Sequence, residues 1–420
     1  MEKLKLKIHT LLRKSERIFK TDMVYLVKGG SWLTLGQVIA TLSAFITALF
    51  FANAVSKDVY GNYKFILAAA GILGAFSLTG MAQVVAQGVA QGSEGIFKDA
   101  VKTSLRWGSI VVVIALGVSV YYFLNGNAPF GYAFLIAGIT NPFIDAFGLY
   151  GAYLGGKKDF KRSTLYNTGS QLFTTVVVII TAVTTQNALA IVAAYFISST
   201  LGILWSYRSV LSRFKPNTVG DKTLIPYSKH LSVIYLLGTI ASQSDRIFVF
   251  HFLGPVSLAI YSFAQAIPEQ IKGVFKNLFG VALPKYAVLP DAELRKSVIK
   301  KSLQLTGMTV IIVLLYILAA PLVFGLIFPK YIESVFYSQI YMLGLIFVPA
   351  ISLFSIYFQI KMASRIMYKI NIMSGIFTLI LTFVLVYKYG LMGVAVENGL
   401  SWLILFLINV YYFRKIKSAS

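Results

Sequence analysis

The sequence predicts an all-α polytopic membrane protein with about twelve transmembrane helices in two six-helix lobes. Three observations carry this prediction: the apolar composition, the length of the apolar runs, and the placement of basic residues between those runs. Of the 420 residues, 57% are hydrophobic and only 13% are charged, whereas about a quarter of a soluble domain is charged. Most of the chain must therefore face lipid or other membrane helices.

The apolar runs have the length of membrane-spanning helices. Hydrocarbon offers backbone amides no partner, so a span is either a helix of about twenty residues or a strand of a closed barrel. Runs such as 110–123 and 308–320 show none of the alternation that a barrel strand requires. Hydropathy predicts spans at 31–52, 63–84, 104–124, 129–153, 167–185, 187–207, 228–252, 255–283, 302–325, 336–358, 369–387 and 391–413.

Basic residues are concentrated in alternate connections. With a cytoplasmic N-terminus, the cytoplasmic connections carry 31 of the 38 Lys and Arg residues, and the opposite connections carry Lys57, Lys64, Lys330 and Lys388. The positive-inside rule then predicts a multi-pass protein of the cytoplasmic (inner) membrane with both termini in the cytoplasm. Topology thus explains the net charge of +23 without nucleic acid, for which the sequence carries no recognition module.

A weak internal repeat divides the spans into two sets of six. Residues 55–63 align with 253–261, and the span at 104–124 aligns with 302–322. Units of six spans enter the membrane from the same side, so a pseudo-twofold axis along the membrane normal relates them. We expect a basic amphipathic N-terminal segment (1–30), an N-lobe (31–207), a cytoplasmic linker (208–227), a C-lobe (228–413) and a cytoplasmic tail (414–420).

The N-terminal segment combines basic residues with apolar ones at helical spacing. Leu4, Ile8 and Leu11 share one helix face, which predicts a helix lying on the anionic inner leaflet. The basic stretch is too long for a cleaved signal peptide. A disordered basic tail is the alternative.

The eighth span carries a polar stripe. Ser262, Gln265, Glu269, Lys272 and Lys276 follow one another at steps of three or four residues, which places them on one helix face. Ionisable groups at membrane depth are costly, so each is a candidate functional residue. The alternatives are a structural pair between Lys272 and Glu269 and a Lys276 side chain that reaches the interface.

Further ionisable and amide side chains lie within other spans. Arg246 in the seventh span is suited to bidentate contact with a phosphate or a carboxylate, from a ligand or from another helix. We take the carboxylates as candidates for ion coupling and the amides as candidates for the cavity wall, with interhelical hydrogen bonding as the alternative for both. The carboxylates are Asp145, Asp245, Glu269 and Glu397, and the amides are Gln37, Asn141 and Gln265.

The sequence predicts no catalytic residue, metal site or cofactor, and hence no enzyme. It contains no cysteine, and its three histidines are too scattered to form a helix-spaced metal pair. The glycine-rich stretch 151–156 is followed by Lys157 and Lys158, whereas a phosphate loop needs Lys followed by Ser or Thr.

Several segments resemble one family of membrane proteins. Residues 245–254 (DRIFVFHFLG) and 260–264 (IYSFA) resemble the seventh and eighth spans of Wzx-like polysaccharide flippases of the multidrug/oligosaccharidyl-lipid/polysaccharide exporter superfamily. Residues 28–30 (KGG), 59–63 (VYGNY) and 389–395 (YGLMGVA) match in the same order. The resemblance covers nearly the whole chain.

The resemblance implies a carrier that moves an undecaprenyl-diphosphate-linked oligosaccharide to the outer leaflet by alternating access, for surface polysaccharides such as O-antigen. It implies that cavity cations hold the diphosphate, a role that would fall to Arg246, Lys272 and Lys28, with Lys276 as a further candidate. Membrane lipids, a polysaccharide polymerase and glycosyltransferases would be partners. Two alternatives remain: a multidrug-type cation antiporter, which would need carboxylates to dominate its cavity, and a non-transporting scaffold for glycan assembly.

Overall fold

The computed structural model describes residues 23–217, 219, 224–287 and 289–416. The amphipathic helix predicted for the N-terminal segment falls largely on residues 1–22 and lies outside this range. In chain order the α-helices are α1 (Met23–Ala54), α2 (Lys57–Ala75), α3 (Met81–Ala90), α4 (Ile96–Leu124), α5 (Ala128–Gly148), α6 (Tyr150–Gly156), α7 (Phe160–Thr184), α8 (Ala188–Phe214), α9 (Leu224–Ala287), α10 (Asp291–Ile327), α11 (Ser334–Gly344), α12 (Val348–Ile360) and α13 (Ser364–Lys415).

The helices are long and apolar enough to cross a membrane repeatedly. In the described part of the chain, nine stretches qualify, and two of them, Leu224–Gly273 and Arg365–Lys415, have 50 and 51 residues. As one straight helix at 1.5 Å per residue, each would be about 75 Å long, more than twice the hydrocarbon thickness of about 30 Å. Each therefore supplies two crossings.

Glycines separate the two crossings within α9 and within α13. Gly254 has φ 81° and Gly390 has φ 58°, so the chain reverses at both. Glycine adopts this left-handed region without the steric cost that a Cβ imposes. The sequence places the boundaries between spans seven and eight and between spans eleven and twelve at these two residues.

The second span differs from its sequence-based prediction. A span at 63–84 is wrong at both ends, because α2 begins at Lys57 and ends at Ala75, and a separate helix α3 follows. The Ser56 hydroxyl accepts a hydrogen bond from the Val59 amide at 3.4 Å and so caps the start of α2. Lys64, at the edge of the predicted span, therefore lies about two turns inside α2 and not in a connection.

Helices α1 to α8 form one bundle and α9 to α13 a second, and α2 packs along α9 between them. The two helices approach very closely at Gly61, where an added Cβ would stand 1.9 Å from the Pro255 carbonyl oxygen. Backbones can come this close only if one residue lacks a side chain. The interface between the bundles is thus anchored by a glycine at the start of α2.

The bundles also meet at the membrane face where α1 ends and α2 begins. The rings of Phe51 and Tyr60 lie 5.1 Å apart, Tyr60 lies 4.9 Å from Phe263, and Phe263 stacks on Tyr331 at 3.8 Å. We call these four residues the aromatic plug. It joins side chains of both bundles and closes the space between them at this face.

Two polar contacts lie beside the aromatic plug. Lys57 forms an ion pair with Glu333, and the Lys330 ammonium donates to the Asn53 carbonyl oxygen at 2.7 Å. Both contacts connect the N-terminal bundle with the segment between α10 and α11. The same face is therefore held by apolar and ionic contacts together.

Candidate functional site

A cavity of about 900 Å³ lies between the two bundles, next to the aromatic plug. Helices α1, α2 and α5 to α8 contribute lining residues from the first bundle, and both halves of α9 and Phe328 contribute them from the second. The volume is in the range of small-molecule binding sites. The side chains that line it determine what it can hold.

Arg246 lines this cavity from the first half of α9. Its guanidinium donates to the Gln243 side-chain oxygen at 2.7 Å and to the Gln265 side-chain oxygen at 3.2 Å. Neutral amides thus orient the guanidinium, and among the described residues it forms no ion pair. An oriented arginine without a direct carboxylate partner is a site for an anion.

Asp245, the sequence neighbour of Arg246, is buried and turned away into its own hydrogen-bond network. Its carboxylate accepts from the Tyr261 hydroxyl at 2.7 Å, from the Gln265 amide at 3.1 Å and from the Arg246 backbone N–H at 2.8 Å. Gln265 therefore touches both charged residues and holds them apart. The network stabilises a buried carboxylate and leaves the arginine side chain directed at the cavity.

Lys64 is a second cation in the cavity wall, contributed by α2. Its ammonium lies 5.4 Å from the centre of the Tyr60 ring, within cation–π distance. Sequence reasoning assigned Lys64 to a connection and did not consider it for the site. The N-cap Ser56 and the helix-favouring Asp58 in the first turn are the signals that place the start of α2 before Lys64.

The polar stripe of the eighth span faces the cavity in part. Gln265 and Glu269 line the cavity, as does Ser262. Glu269 accepts a hydrogen bond from Tyr341 and forms an ion pair with Lys272. The Lys272 ammonium also lies 5.5 Å from the ring centre of Trp402. Lys272 thus forms the structural pair with Glu269 that the sequence offered as an alternative. Its side chain is not among those that line the cavity.

The other candidate residues with described side chains are not among those that line the cavity. The Gln37 amide contacts the Thr41 hydroxyl at 3.4 Å, and the Asn141 amide donates to the Ala70 carbonyl at 3.0 Å. Asp145 lies close to Gly74 of α2. Glu397 is buried and accepts from the Ser401 hydroxyl. The side chains of Lys28 and Lys276 are outside the described part of the structure.

The cavity surface contributed by α7 and α8 is polar but carries no charge among its described residues. Its hydroxyl and amide side chains are Asn167, Ser170, Gln171, Thr174, Thr175 and Ser199. The cavity therefore has a charged part on α2 and α9, with Lys64, Arg246 and Glu269, and a neutral, hydrogen-bonding part on α7 and α8. Within the described ranges, no cluster of three or more His, Asp or Glu residues could hold a metal ion.

Residues 26–289 match the family described as polysaccharide biosynthesis protein. No curated protein matches the chain. Among solved structures, the lipid II flippase MurJ in an inward closed conformation has a TM-score of 0.73 at 14% identity, covering 92% of this chain and 87% of that one.

Two further solved structures extend the similarity. An outward-facing multidrug resistance MATE family transporter of the MOP superfamily has a TM-score of 0.62 at 14% identity, covering 93% of this chain and 94% of that one. A MOP superfamily transporter from Pyrococcus furiosus, described by a reversed polarity of its binding pocket, has a TM-score of 0.61 at 14% identity and covers 93% of this chain and 95% of that one. At this identity the similarity concerns the fold, and it confirms the two-lobe, all-α membrane fold class.

Proposed function

The chain belongs to the polysaccharide biosynthesis protein family, and from this membership and the cavity we propose that it is a flippase for a lipid-linked oligosaccharide. The substrate is an undecaprenyl-diphosphate-linked saccharide, and it moves from the cytoplasmic to the outer leaflet of the inner membrane by alternating access. One observation carries the proposal: Arg246 and Lys64 line the same cavity between the bundles.

The physical difficulty of this transport is the diphosphate. A polar headgroup must cross about 30 Å of hydrocarbon while its lipid tail stays in the bilayer. An anion that loses its water without gaining partners is prohibitively destabilised. Lys64 and Arg246 supply charge-assisted hydrogen bonds in place of that water, and the guanidinium is already oriented by Gln243 and Gln265.

The membrane potential drives this movement in the outward direction. The cell interior is negative, so moving two negative charges outward is downhill by about 4–5 kcal/mol at 100 mV. ATP hydrolysis is then unnecessary. If an ion is coupled to the movement, Glu269 is the candidate carboxylate that lines the cavity, with Lys272 as the cation that pairs with it.

Reconstitution in liposomes tests the proposal. The probe is an undecaprenyl-diphosphate-linked saccharide with a fluorophore on the sugar, and the signal is quenching of this fluorophore by an external quencher. Quenching decreases when a probe placed in the outer leaflet moves inward, and it increases when a probe placed in the inner leaflet moves outward. We expect translocation by the wild-type protein, and a loss of at least tenfold in rate in Arg246→Gln.

Lys388→Gln is the matched control, because it removes one positive charge from an exposed residue outside the cavity wall. This variant should flip the probe at the wild-type rate. Equal rates in Arg246→Gln and wild type would contradict the proposal. Efflux of a cationic dye without saccharide movement would show a cation antiporter, and neither activity would show a scaffold.

A further inference from the structure

The division of the cavity into two sides has a consequence for which sugars it accepts. We propose, resting on the proposed function, that the neutral wall of α7 and α8 is the saccharide subsite and that it selects uncharged sugars over sugars that carry a carboxylate. Lys64 and Arg246 then hold the diphosphate, and the sugars next to it extend across the cavity onto this wall.

The spacing of the wall residues on α7 creates one polar face. Asn167, Gln171, Thr174 and Thr175 follow at steps of four, three and one residues, which keeps them on one side of the helix. The other side of α7 carries exposed apolar residues such as Ile180. The helix thus separates a face for the cavity from a face for lipid.

Two of these side chains, Gln171 and Asn167, have polar atoms available for a ligand. Gln171 is exposed and its amide forms no hydrogen bond with a described residue. The Asn167 side-chain oxygen accepts from the Tyr150 hydroxyl at 2.6 Å, which leaves its amide N–H groups as donors. An amide offers both donors and acceptors, the combination that sugar hydroxyls and acetamido groups require.

Aromatic rings border the same wall. Tyr150 and Tyr195 line the cavity beside α7, and Tyr63 meets Tyr195 edge to face at 6.3 Å. The apolar face of a pyranose ring packs on such rings while its hydroxyl groups reach the amides. Rings and amides together form a wall suited to a neutral sugar.

A carboxylate on the sugar would be unfavourable at this wall. Among the described residues that α7 and α8 contribute to the cavity, none is charged. A desolvated anion without a cationic partner costs far more free energy than a desolvated hydroxyl. Lys64 and Arg246 cannot compensate it, because the diphosphate occupies them.

Equilibrium binding to the full-length protein in nanodiscs tests this selection. The probes are undecaprenyl diphosphate without sugar, undecaprenyl-diphosphate-linked N-acetylglucosamine and undecaprenyl-diphosphate-linked glucuronic acid. We expect wild type to bind the N-acetylglucosamine probe at least tenfold more tightly than the glucuronic acid probe. In Gln171→Lys the preference should reverse, while affinity for the sugar-free probe changes less than twofold.

Thr175→Lys is a second variant on the same face, and Asn125→Lys is the matched control that adds the same charge at an exposed connection. The control should keep the wild-type preference. Equal binding of both sugar probes by wild type, or a preference that neither lysine variant changes, would overturn the inference. If the sugar-free probe fails to bind wild type, the proposed function itself fails.

Discussion

The Arg246 side chain shows how a half-buried charge is kept available to a ligand. Two glutamine amides hold its guanidinium, and the adjacent Asp245 carboxylate is satisfied by Tyr261 and Gln265. A direct carboxylate partner would neutralise the arginine and oppose anion binding. The amides position the group without removing its charge.

Replacing one of these amides by a carboxylate of the same shape should therefore impair the site. In Gln243→Glu the new carboxylate faces the guanidinium across the 2.7 Å contact, and we expect the affinity for undecaprenyl diphosphate to fall about tenfold, or about 1.4 kcal/mol. Binding in nanodiscs measures this. Gln243→Met is the control for the lost hydrogen bond, and it should bind more tightly than Gln243→Glu. The reverse order would contradict the role assigned to the amides.

The sequence predicts Arg246 and Gln265 as site residues but misses Lys64. Arg246 and Gln265 stand out because polar groups within apolar runs are costly. Lys64 was not considered for the site because the charge count placed it with the connections, although it falls at the edge of the predicted span 63–84 and lies seven residues after the start of α2. The sequence could not decide whether Lys272 binds a ligand or pairs with Glu269, because Tyr341 and Trp402, which contact this pair, lie on other helices.

Among the elements, α2 has the most demanding position, since it lies along α9 at the interface of the bundles. Hydropathy located this span only approximately. Its polar first turns, with Lys57, Asp58 and Lys64, lower the mean hydropathy of a helix that faces protein on most sides. Burial among other helices, and not lipid contact, sets the composition of α2.

The glycine at the closest approach of α2 and α9 predicts a strong effect of a small substitution. In Gly61→Ala the methyl group would meet the Pro255 carbonyl at 1.9 Å, so the bundles must separate locally, at a cost of about 1–3 kcal/mol. Thermal unfolding in detergent should show a lowered Tm. Gly117→Ala, a helical glycine with open space around it, serves as control and should leave the Tm unchanged or higher. Equal Tm values for both variants would contradict the close approach.

The connection between α3 and α4 is held to α6 by Glu94. Its carboxylate pairs with Lys157 and accepts from the Tyr153 hydroxyl at 2.8 Å. Burial raises the pKa of the Glu94 carboxyl, but the hydrogen bonds from Lys157 and Tyr153 and the lysine charge lower it by more, so the pKa lies below its ordinary value of 4.5. The stabilising contribution of Glu94 is therefore present above pH 4.5 and is lost as the pH falls through the lower folded-state pKa.

Comparison with Glu94→Gln measures this dependence. At pH 7 the variant should have a slightly lower Tm than wild type, because it loses less than about 1 kcal/mol of unfolding free energy. The difference should shrink as the pH falls below 4.5 and disappear once the carboxyl is protonated in both the folded and the unfolded protein. A difference that stays constant with pH would contradict the charged contact.

For the whole molecule, the two-lobe architecture follows from sequence because span count, charge bias and the internal repeat are properties of the entire chain. The cavity does not follow, because its walls combine residues from α1, α2, α7, α8 and α9 that no single pattern connects. The structure is closed at the face that carries the aromatic plug. Alternating access requires this face to open.

Cross-linking across the closed face should therefore stop transport. The chain has no cysteine, so Lys57→Cys and Glu333→Cys introduce a unique pair at the positions of the ion pair between the bundles. A short bifunctional thiosulfonate should abolish headgroup translocation in liposomes, and a reductant should restore it. Each single cysteine variant, treated in the same way, should remain active. Full transport by the cross-linked protein would contradict opening at this face.

The central claim is that Lys64 and Arg246 bind the diphosphate of a lipid-linked saccharide. The most direct measurement is the affinity of the purified protein in nanodiscs for an undecaprenyl-diphosphate-linked saccharide and for the same saccharide joined to undecaprenol without phosphate. We expect wild type to prefer the diphosphate at least a hundredfold and Lys64→Gln/Arg246→Gln to lose most of this preference. An unchanged preference in the double variant would contradict the claim.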